Sequence, residues 1–237
     1  MIIKKALVIL SGGQDSTTCL FWAKQNYNEV HAITFDYGQR HKVEINAAKK
    51  VAKLAQISSH EIIDVPNCLI SSSPLTSKND LELYTDYESM SEVIGNRQEV
   101  TLVPMRNALF LTIAANRAEA KNIKTIVTGV CQMDDANYDD CRQLFIDSTE
   151  KYINTALGHD HRETVSITVE TPLMFLNKAE SINLASKVGA LEALAFSHTC
   201  YAGEYPPCGR CHSCVLRAQG FKDASVEDPL LERVKNG

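Results

Sequence analysis

Apolar positions along the chain fall into short dense runs separated by segments with helical spacing. Residues 5–10 (KALVIL) are almost wholly apolar and stop at Ser-Gly-Gly, which predicts a strand buried on both faces of a parallel sheet. In the next segment Thr17, Leu20, Phe21 and Lys24 recur at helical intervals. A second strand run, 29–38 (EVHAITFDYG), ends at Gly38, and residues 41–56 set Val43, Ala47, Val51 and Leu54 on one helical face. Residues 61–66 (EIIDVP) read as a third strand. Residues 106–120 are apolar nearly all round and predict a buried helix. There follow a strand over 125–130 (TIVTGV), a polar loop at 131–140, a helix near 141–157, and a strand over 166–174 (SITVETPLM). A helix over 178–190 closes at Gly189. This alternation predicts a doubly wound α/β fold with a mostly parallel, five-stranded sheet.

Residues 66–98 break the rhythm. They are rich in Ser, Asp, Glu and Asn and lack a long period, which predicts a surface insertion or lid. The chain divides into an α/β domain over 1–195 and a C-terminal segment, 196–237, packed on the same domain.

Composition narrows the function classes. With 237 residues and 44% hydrophobic content, the chain buries a proper core. A net charge of −5 disfavours direct nucleic-acid binding, which needs clustered Lys and Arg. No run approaches the roughly 20 apolar residues that span a bilayer. The opening MIIKKALVIL lacks the longer apolar core and cleavage site of a signal peptide, so a cytoplasmic location is expected. There the eight cysteines are reduced thiols or metal ligands rather than disulfides.

The turn Ser11-Gly12-Gly13-Gln14-Asp15-Ser16 joins a strand to a helix at the carboxyl end of the sheet, where α/β folds collect ligands. Adjacent glycines let backbone amides approach phosphate oxygens, and the helix start adds partial positive charge. Ser11, Ser16 and Thr17 offer hydroxyls to the same oxygens. Asp15 would repel a bare phosphate, so it is expected to cap amides or meet the magnesium carried by a nucleotide. The loop has neither a GxxxxGK[ST] lysine nor GxGxxG spacing. Gly-Gly alone would signify only a tight turn; the complete SGGQDST string favours phosphate.

Near the end Cys200, Cys208, Cys211 and Cys214 follow C-x7-C-x2-C-x2-C spacing. Two-residue gaps let thiolates converge on one ion, and four thiolates favour a closed, structural Zn²⁺ site. An iron–sulfur cluster uses the same ligands. His212 is a rival ligand, but it adjoins Cys211, and both cannot readily face one ion. Arg210 and Arg217 are placed to offset the thiolate charge. Cys19, Cys131 and Cys141 are expected to pack. His31, His60, His159, His161 and His198 show no metal spacing.

SGGQDS resembles the PP-loop signature of the ATP pyrophosphatase superfamily, with its adenine nucleotide alpha hydrolase-like fold. Further segments narrow the resemblance: LSGGQDSTTCL at 10–20, FDYGQRH at 35–41, VPMRN at 103–107, Y-x-DCR at 138–142, TPLMFLNKAE at 171–180, and SHTCY through CGRCHSCVLRAQGF at 197–221. Together they resemble the QueC family of 7-cyano-7-deazaguanine synthases, nearly end to end.

That resemblance implies the substrates 7-carboxy-7-deazaguanine, ammonia and ATP with Mg²⁺, one structural Zn²⁺ per chain, and a homodimer. The expected chemistry is adenylation of the acid, displacement of AMP by ammonia, then adenylation of the amide and loss of AMP to leave a nitrile. It implies a nucleotide site over Leu10, Ser11, Gly12, Gly13, Gln14, Asp15, Ser16, Thr17, Thr18, Cys19 and Leu20, with Asp36 and Tyr37 for adenosine. Asp15, Arg40, Arg106 and Lys178 are the expected catalytic set. Gln39, His41, Asn107, Tyr138, Asp140 and Arg142 are the expected substrate contacts. Two strings depart from the family pattern: Met105 stands where Gly or Asn is usual, and 134–139 reads DDANYD. Two rivals are a PP-loop tRNA sulfurtransferase, which needs persulfide cysteines and a basic face, and a non-catalytic zinc module, which needs no SGGQDS loop.

Overall fold

The computed structural model describes residues 3–65, 68–133, 137–161 and 164–236. Positions 66–67 of the acidic stretch and 134–136 of the DDANYD string lie outside them. Five strands form one sheet: β1 (Lys5–Ile9), β2 (Glu29–Asp36), β3 (Ser59–Asp64), β4 (Thr125–Val127) and β5 (Thr168–Glu170). Their order is β3-β2-β1-β4-β5 and every adjacent pair is parallel, with Leu7 opposite both His31 and Ile126. The expected doubly wound sheet is therefore present, and it is parallel throughout. β1 is central, which is why Ala6, Leu7 and Val8 are fully buried and the run is apolar after Lys5.

Alternation along β1 sends side chains to two cores. Ala6, Val8 and Leu10 meet α1 (Gln14–Asn26) and α2 (Val43–Ala55) through Leu20, Ala23, Ala48 and Val51. The buried face of α2 holds Ile45, Ala48, Val51, Ala52 and Ala55 as well as Ala47, while Val43 is 39% exposed. The sequence expectation for that face is thus rotated: small alanines, not the larger Val43 and Leu54, let α2 approach the sheet.

Leu7 and Ile33 face the opposite layer, where α4 (Arg106–Ala120) and α5 (Gln143–Leu157) bring Leu111, Ala114, Ala118, Ile146 and Ile153. α4 is not buried all round. Only Leu111, Ala114, Ala115 and Ala118 are buried, and Thr112, Asn116 and Glu119 are exposed, because the helix lies against the sheet along one stripe.

The 66–98 stretch contains α3 (Tyr87–Ile94), opened by an Asp86–Ser89 capping box. Met90 and Ile94 bury themselves with Tyr84 against Val215 and Leu216 of α8 (His212–Asp223). The Tyr84 amide also donates to the Arg210 carbonyl at 2.8 Å. Through these contacts the stretch expected as a surface insertion or lid packs on the C-terminal segment. That segment in turn shares a core with α6 (Lys178–Lys187) through Ile182, Ala185 and Phe221. α9 (Pro229–Asn236) ends the described chain. Among the described residues no helix is long and apolar enough to cross a membrane.

Met105 precedes α4 with φ of 64°, the left-handed region, and its side chain is 70% exposed. Gly and Asn tolerate this positive φ better than Met does. The strain of an L side chain exceeds the extra chain entropy that glycine loses. Met105→Gly is therefore expected to stabilise the fold by about 0.5–1 kcal/mol, read as a higher midpoint in urea with unchanged slope.

Candidate active site

Strand order reverses between β1 and β4, and both connections leave the carboxyl ends of those strands. That crevice is where open α/β sheets bind ligands. The β1 side is the Ser11–Ser16 turn. Gly12 has φ of 91°, and a Cβ there would strike the Glu44 carbonyl and lie 2.6 Å from the Ala48 amide nitrogen. The glycine thus lets the turn seat directly on α2. Ser11 and Ser16 hydroxyls meet at 3.0 Å, and they accept from the Gly13 and Gly12 amides, each at 3.2 Å. The His198 amide donates to the Gly12 carbonyl at 2.8 Å, tying the loop to the C-terminal segment.

Gly13 caps α1 with no side-chain hydrogen bond, so the first-turn amides are unclaimed by a capping side chain. The Gln14 amide group is buried on the cleft wall, with no hydrogen-bond partner at either atom among the described residues. Burying such a group without partners is costly. An incoming polar ligand relieves it.

The 10–20 string divides sharply. Leu10, Ser11, Gly13, Gln14, Asp15 and Ser16 line the cleft. Thr17 and Thr18 turn back onto the Gly13 and Gln14 carbonyls, at 2.7 and 3.0 Å, and Cys19 and Leu20 are core. Asp15 stands in the first turn of α1. Its carboxylate pairs with Lys178 at 3.0 Å, bringing two expected catalytic residues together from positions far apart in the chain.

Across the cleft from this loop stands Arg106, half-buried among the phenols of Tyr37, Tyr138 and Tyr201. Its guanidinium donates to the Tyr37 hydroxyl at 3.5 Å, and no carboxylate among the described residues lies within ion-pair distance. Phe110 stacks on Phe35 at 4.0 Å and meets Tyr37 edge-on at 5.4 Å, which holds the Tyr37 wall in place. The Tyr138 hydroxyl lies 2.5 Å from the Thr101 hydroxyl and 3.2 Å from the Glu99 carboxylate. Burial holds the Tyr138 phenol well above the ordinary tyrosine range.

Other expected contacts sit differently. Asn107 and Arg142 line the cleft, but Asn107 donates to the Asp140 carbonyl at 3.1 Å and Arg142 pairs with Asp139 at 3.2 Å. Asp140 lies behind the lining, where burial raises its carboxyl and the Arg106 charge opposes the rise. Asp36 is engaged by Lys42 at 3.0 Å and by the Gly38 amide at 3.2 Å. Gln39 is buried and braces the turn, accepting from the Tyr37 amide at 2.9 Å. Arg40 reaches the Asn79 carbonyl at 2.9 Å, away from the cleft. His41 lines the cleft, as does His198, to which the sequence assigned no role.

Three further residues escaped the sequence reading. Gly129, after β4, admits the start of α1: a Cβ there would lie 3.1 Å from the Ser16 amide nitrogen. Its signal was legible, a glycine ending the strand beside β1. Glu44 and Glu99 carried none, since one lies in an ordinary helical pattern and the other in an irregular stretch.

The four cysteine sulfurs lie within 4.8 Å of one another. Backbone amides of Tyr201, Cys208, Arg210 and Cys211 donate to them at 3.3–3.4 Å. Those amides meet the thiolate charge that Arg210 and Arg217 were expected to balance. Arg217 is instead bound to Asp228 at 2.6 and 2.8 Å. A closed set of four thiolates suits tetrahedral zinc and leaves no open position for chemistry. His212 begins α8 on the cleft side, outside this convergent group.

A glycine loop at the switch point of a parallel sheet, opening an uncapped helix, defines a nucleotide-utilising PP-loop α/β protein. The comparisons go further. The family model described as queuosine biosynthesis protein QueC matches residues 5–225. A 7-cyano-7-deazaguanine synthase of Laribacter hongkongensis is 48% identical over 230 residues, covering 97% of this chain and 95% of that protein. A protein of the same name from Chromobacterium violaceum is 47% identical over 236 residues, covering 97% and 94%. That of Gloeobacter violaceus is 45% identical over 231 residues, covering 96% of each. The chain belongs to the QueC family.

Proposed function

We propose that this cleft converts 7-carboxy-7-deazaguanine and ammonia to 7-cyano-7-deazaguanine, with ATP and Mg²⁺, as a step in queuosine biosynthesis. The observation that carries the reading is Arg106. It is a cation without a carboxylate partner among the described residues, facing a phosphate-type loop across one cleft. A planar acid fits that wall: Arg106 takes the carboxylate and the Tyr138 ring stacks on the heterocycle.

The loop amides, the Gln14 amide and Lys178 hold the polyphosphate, and Asp15 orients Lys178 or meets Mg²⁺. In this arrangement a carboxylate oxygen attacks the α-phosphorus and pyrophosphate departs toward the helix start, which stabilises the leaving charge. Ammonia then displaces AMP, giving the amide. A second adenylation, at the amide oxygen, and loss of AMP leave the nitrile. Both steps activate an oxygen on the same carbon, so one site serves for both. Cys200, Cys208, Cys211 and Cys214 hold one Zn²⁺, which closes the segment that ties His198 to Gly12. The reading carries with it a cytoplasmic homodimer acting on small molecules without direct nucleic-acid binding.

The test is incubation with ATP and the acid, with and without ammonium. The expected products are the nitrile by mass spectrometry, AMP and pyrophosphate, from a preparation holding one zinc per chain. Release of ADP and orthophosphate, or no turnover, would sink the proposal.

A further inference from the structure

Beside the glycine loop the cleft wall carries a second polar group that phosphate binding does not use. His41, Glu44 and His198 all line the cleft. His41 and His198 are 4% and 3% exposed. Glu44 accepts from the Gln39 side-chain amide at 3.1 Å and lies 3.3 Å from His41 Nε2. A carboxylate only accepts, so the His41 edge that meets Glu44 is a donor edge, and Nδ1 is the ring atom left toward the cleft. That Nδ1 has no partner among the described residues, and neither does His198 Nε2.

The group combines an anionic carboxylate with unsatisfied ring nitrogens, and no Lys or Arg among the described residues lies within ion-pair distance of Glu44. Arg217, the cation felt by His198, is committed to Asp228. Such a lining repels phosphate. A metal fits poorly too, because the one group of ligand atoms that converges tightly enough among the described residues is the cysteine tetrad. Hydrogen-bonding distances are longer than the roughly 2.0–2.2 Å of metal–ligand bonds, so looser convergence suits a cation bound through N–H groups.

We propose that Glu44, His41 and His198 form the subsite that holds the ammonium ion supplying the nitrogen. The inference rests on the synthase reading above. Ammonium has four N–H donors and one positive charge, and the Glu44 carboxylate supplies the acceptor oxygens and the negative charge; one proton passes to that carboxylate as the freed ammonia lone pair attacks the adenylate. The backbone bond from His198 to Gly12 places the subsite against the loop that holds the nucleotide.

The test is steady-state kinetics on the full chain, with ammonium chloride varied at saturating ATP and 7-carboxy-7-deazaguanine. A hydrogen bond to a charged group contributes about 1.5–3 kcal/mol, so Glu44→Gln should raise the KM for ammonium about tenfold or more. KM for ATP and for the acid should stay within about twofold. Glu44→Asp should recover part of the loss, and His41→Asn should shift the ammonium KM in the same direction. If Glu44→Gln does not fold, His41→Asn decides. An unchanged ammonium KM, or an ATP KM rising in step with it, would overturn the subsite and leave the group a brace for the loop. Wild-type enzyme that makes no nitrile would instead overturn the synthase reading.

Discussion

An alanine at position 12 is expected to abolish ATP-dependent turnover and to destabilise the fold, whereas alanine at position 13 should cost activity alone. The difference lies in what each new methyl group meets. At Gly12 it meets the Glu44 carbonyl and the Ala48 amide, both backbone atoms of α2, and φ of 91° is hostile to any L side chain. Neither the loop nor the helix can yield by turning a rotamer. Left-handed backbone costs roughly 1–2 kcal/mol and overpacking about 1–3 more, so Gly12→Ala should lose about 2–5 kcal/mol. At Gly13 the nearest atoms are the Ser11 hydroxyl and a Thr199 methyl at 3.4 Å, and φ is −77°. That methyl group is tolerated by the protein but stands where an anion must approach the helix start. Thermal melts should therefore separate the two variants, and nucleotide-dependent activity should not. Equal melting temperatures would mean that the loop does not rest on α2 in solution.

The same loop shows what sequence reports and what it leaves out. Short apolar runs named all five strands, most plainly the central β1, where a strand buried on both faces needs no polar partner and KALVIL could be little else. Boundaries were less legible: TIVTGV and SITVETPLM became three-residue strands, since pairing ends where neighbours end, a property of the whole sheet. Val43 misled because periodicity counts apolarity, while the sheet selected the small Ala48 and Ala52 for close approach. The loop and the cysteines were legible as strings because their chemistry is carried by contiguous atoms. Arg40, Gln39 and Asp36 belong to an equally distinctive string, yet Gln39 and Asp36 bond the turn and Arg40 reaches the Asn79 carbonyl. A string fixes neighbourhood, and only folding decides which side of the backbone each residue takes. Glu99 and Glu44 show the converse: acids buried at the site from stretches with no local signature.

Removal of the Asp228 carboxylate is expected to be the costliest change remote from the glycine loop. Arg217 and Asp228 side chains are each 6% exposed, and the guanidinium makes two bonds to the carboxylate, at 2.6 and 2.8 Å. Its remaining donors reach the Ser197 hydroxyl at 2.8 Å and the Leu194 carbonyl at 3.3 Å. Asp228 also accepts from the Leu230 amide at 2.9 Å, just ahead of Pro229 at the start of α9. Asp228→Ala would strand a buried cation and remove a helix-start bond at once. Breaking a buried pair in this way costs about 3–5 kcal/mol, or on the order of 10 °C in melting temperature for a chain this long. The loss arises from the abandoned charge more than from the missing attraction. Arg217→Met combined with Asp228→Leu should consequently melt above Asp228→Ala alone, because the double variant buries no charge. Since Ser197 adjoins His198, whose amide holds Gly12, the single variant should also raise the KM for ATP as the strap behind the loop loosens. A double variant less stable than Asp228→Ala would show that the pair's geometry, rather than desolvation of the stranded arginine, governs this part of the core.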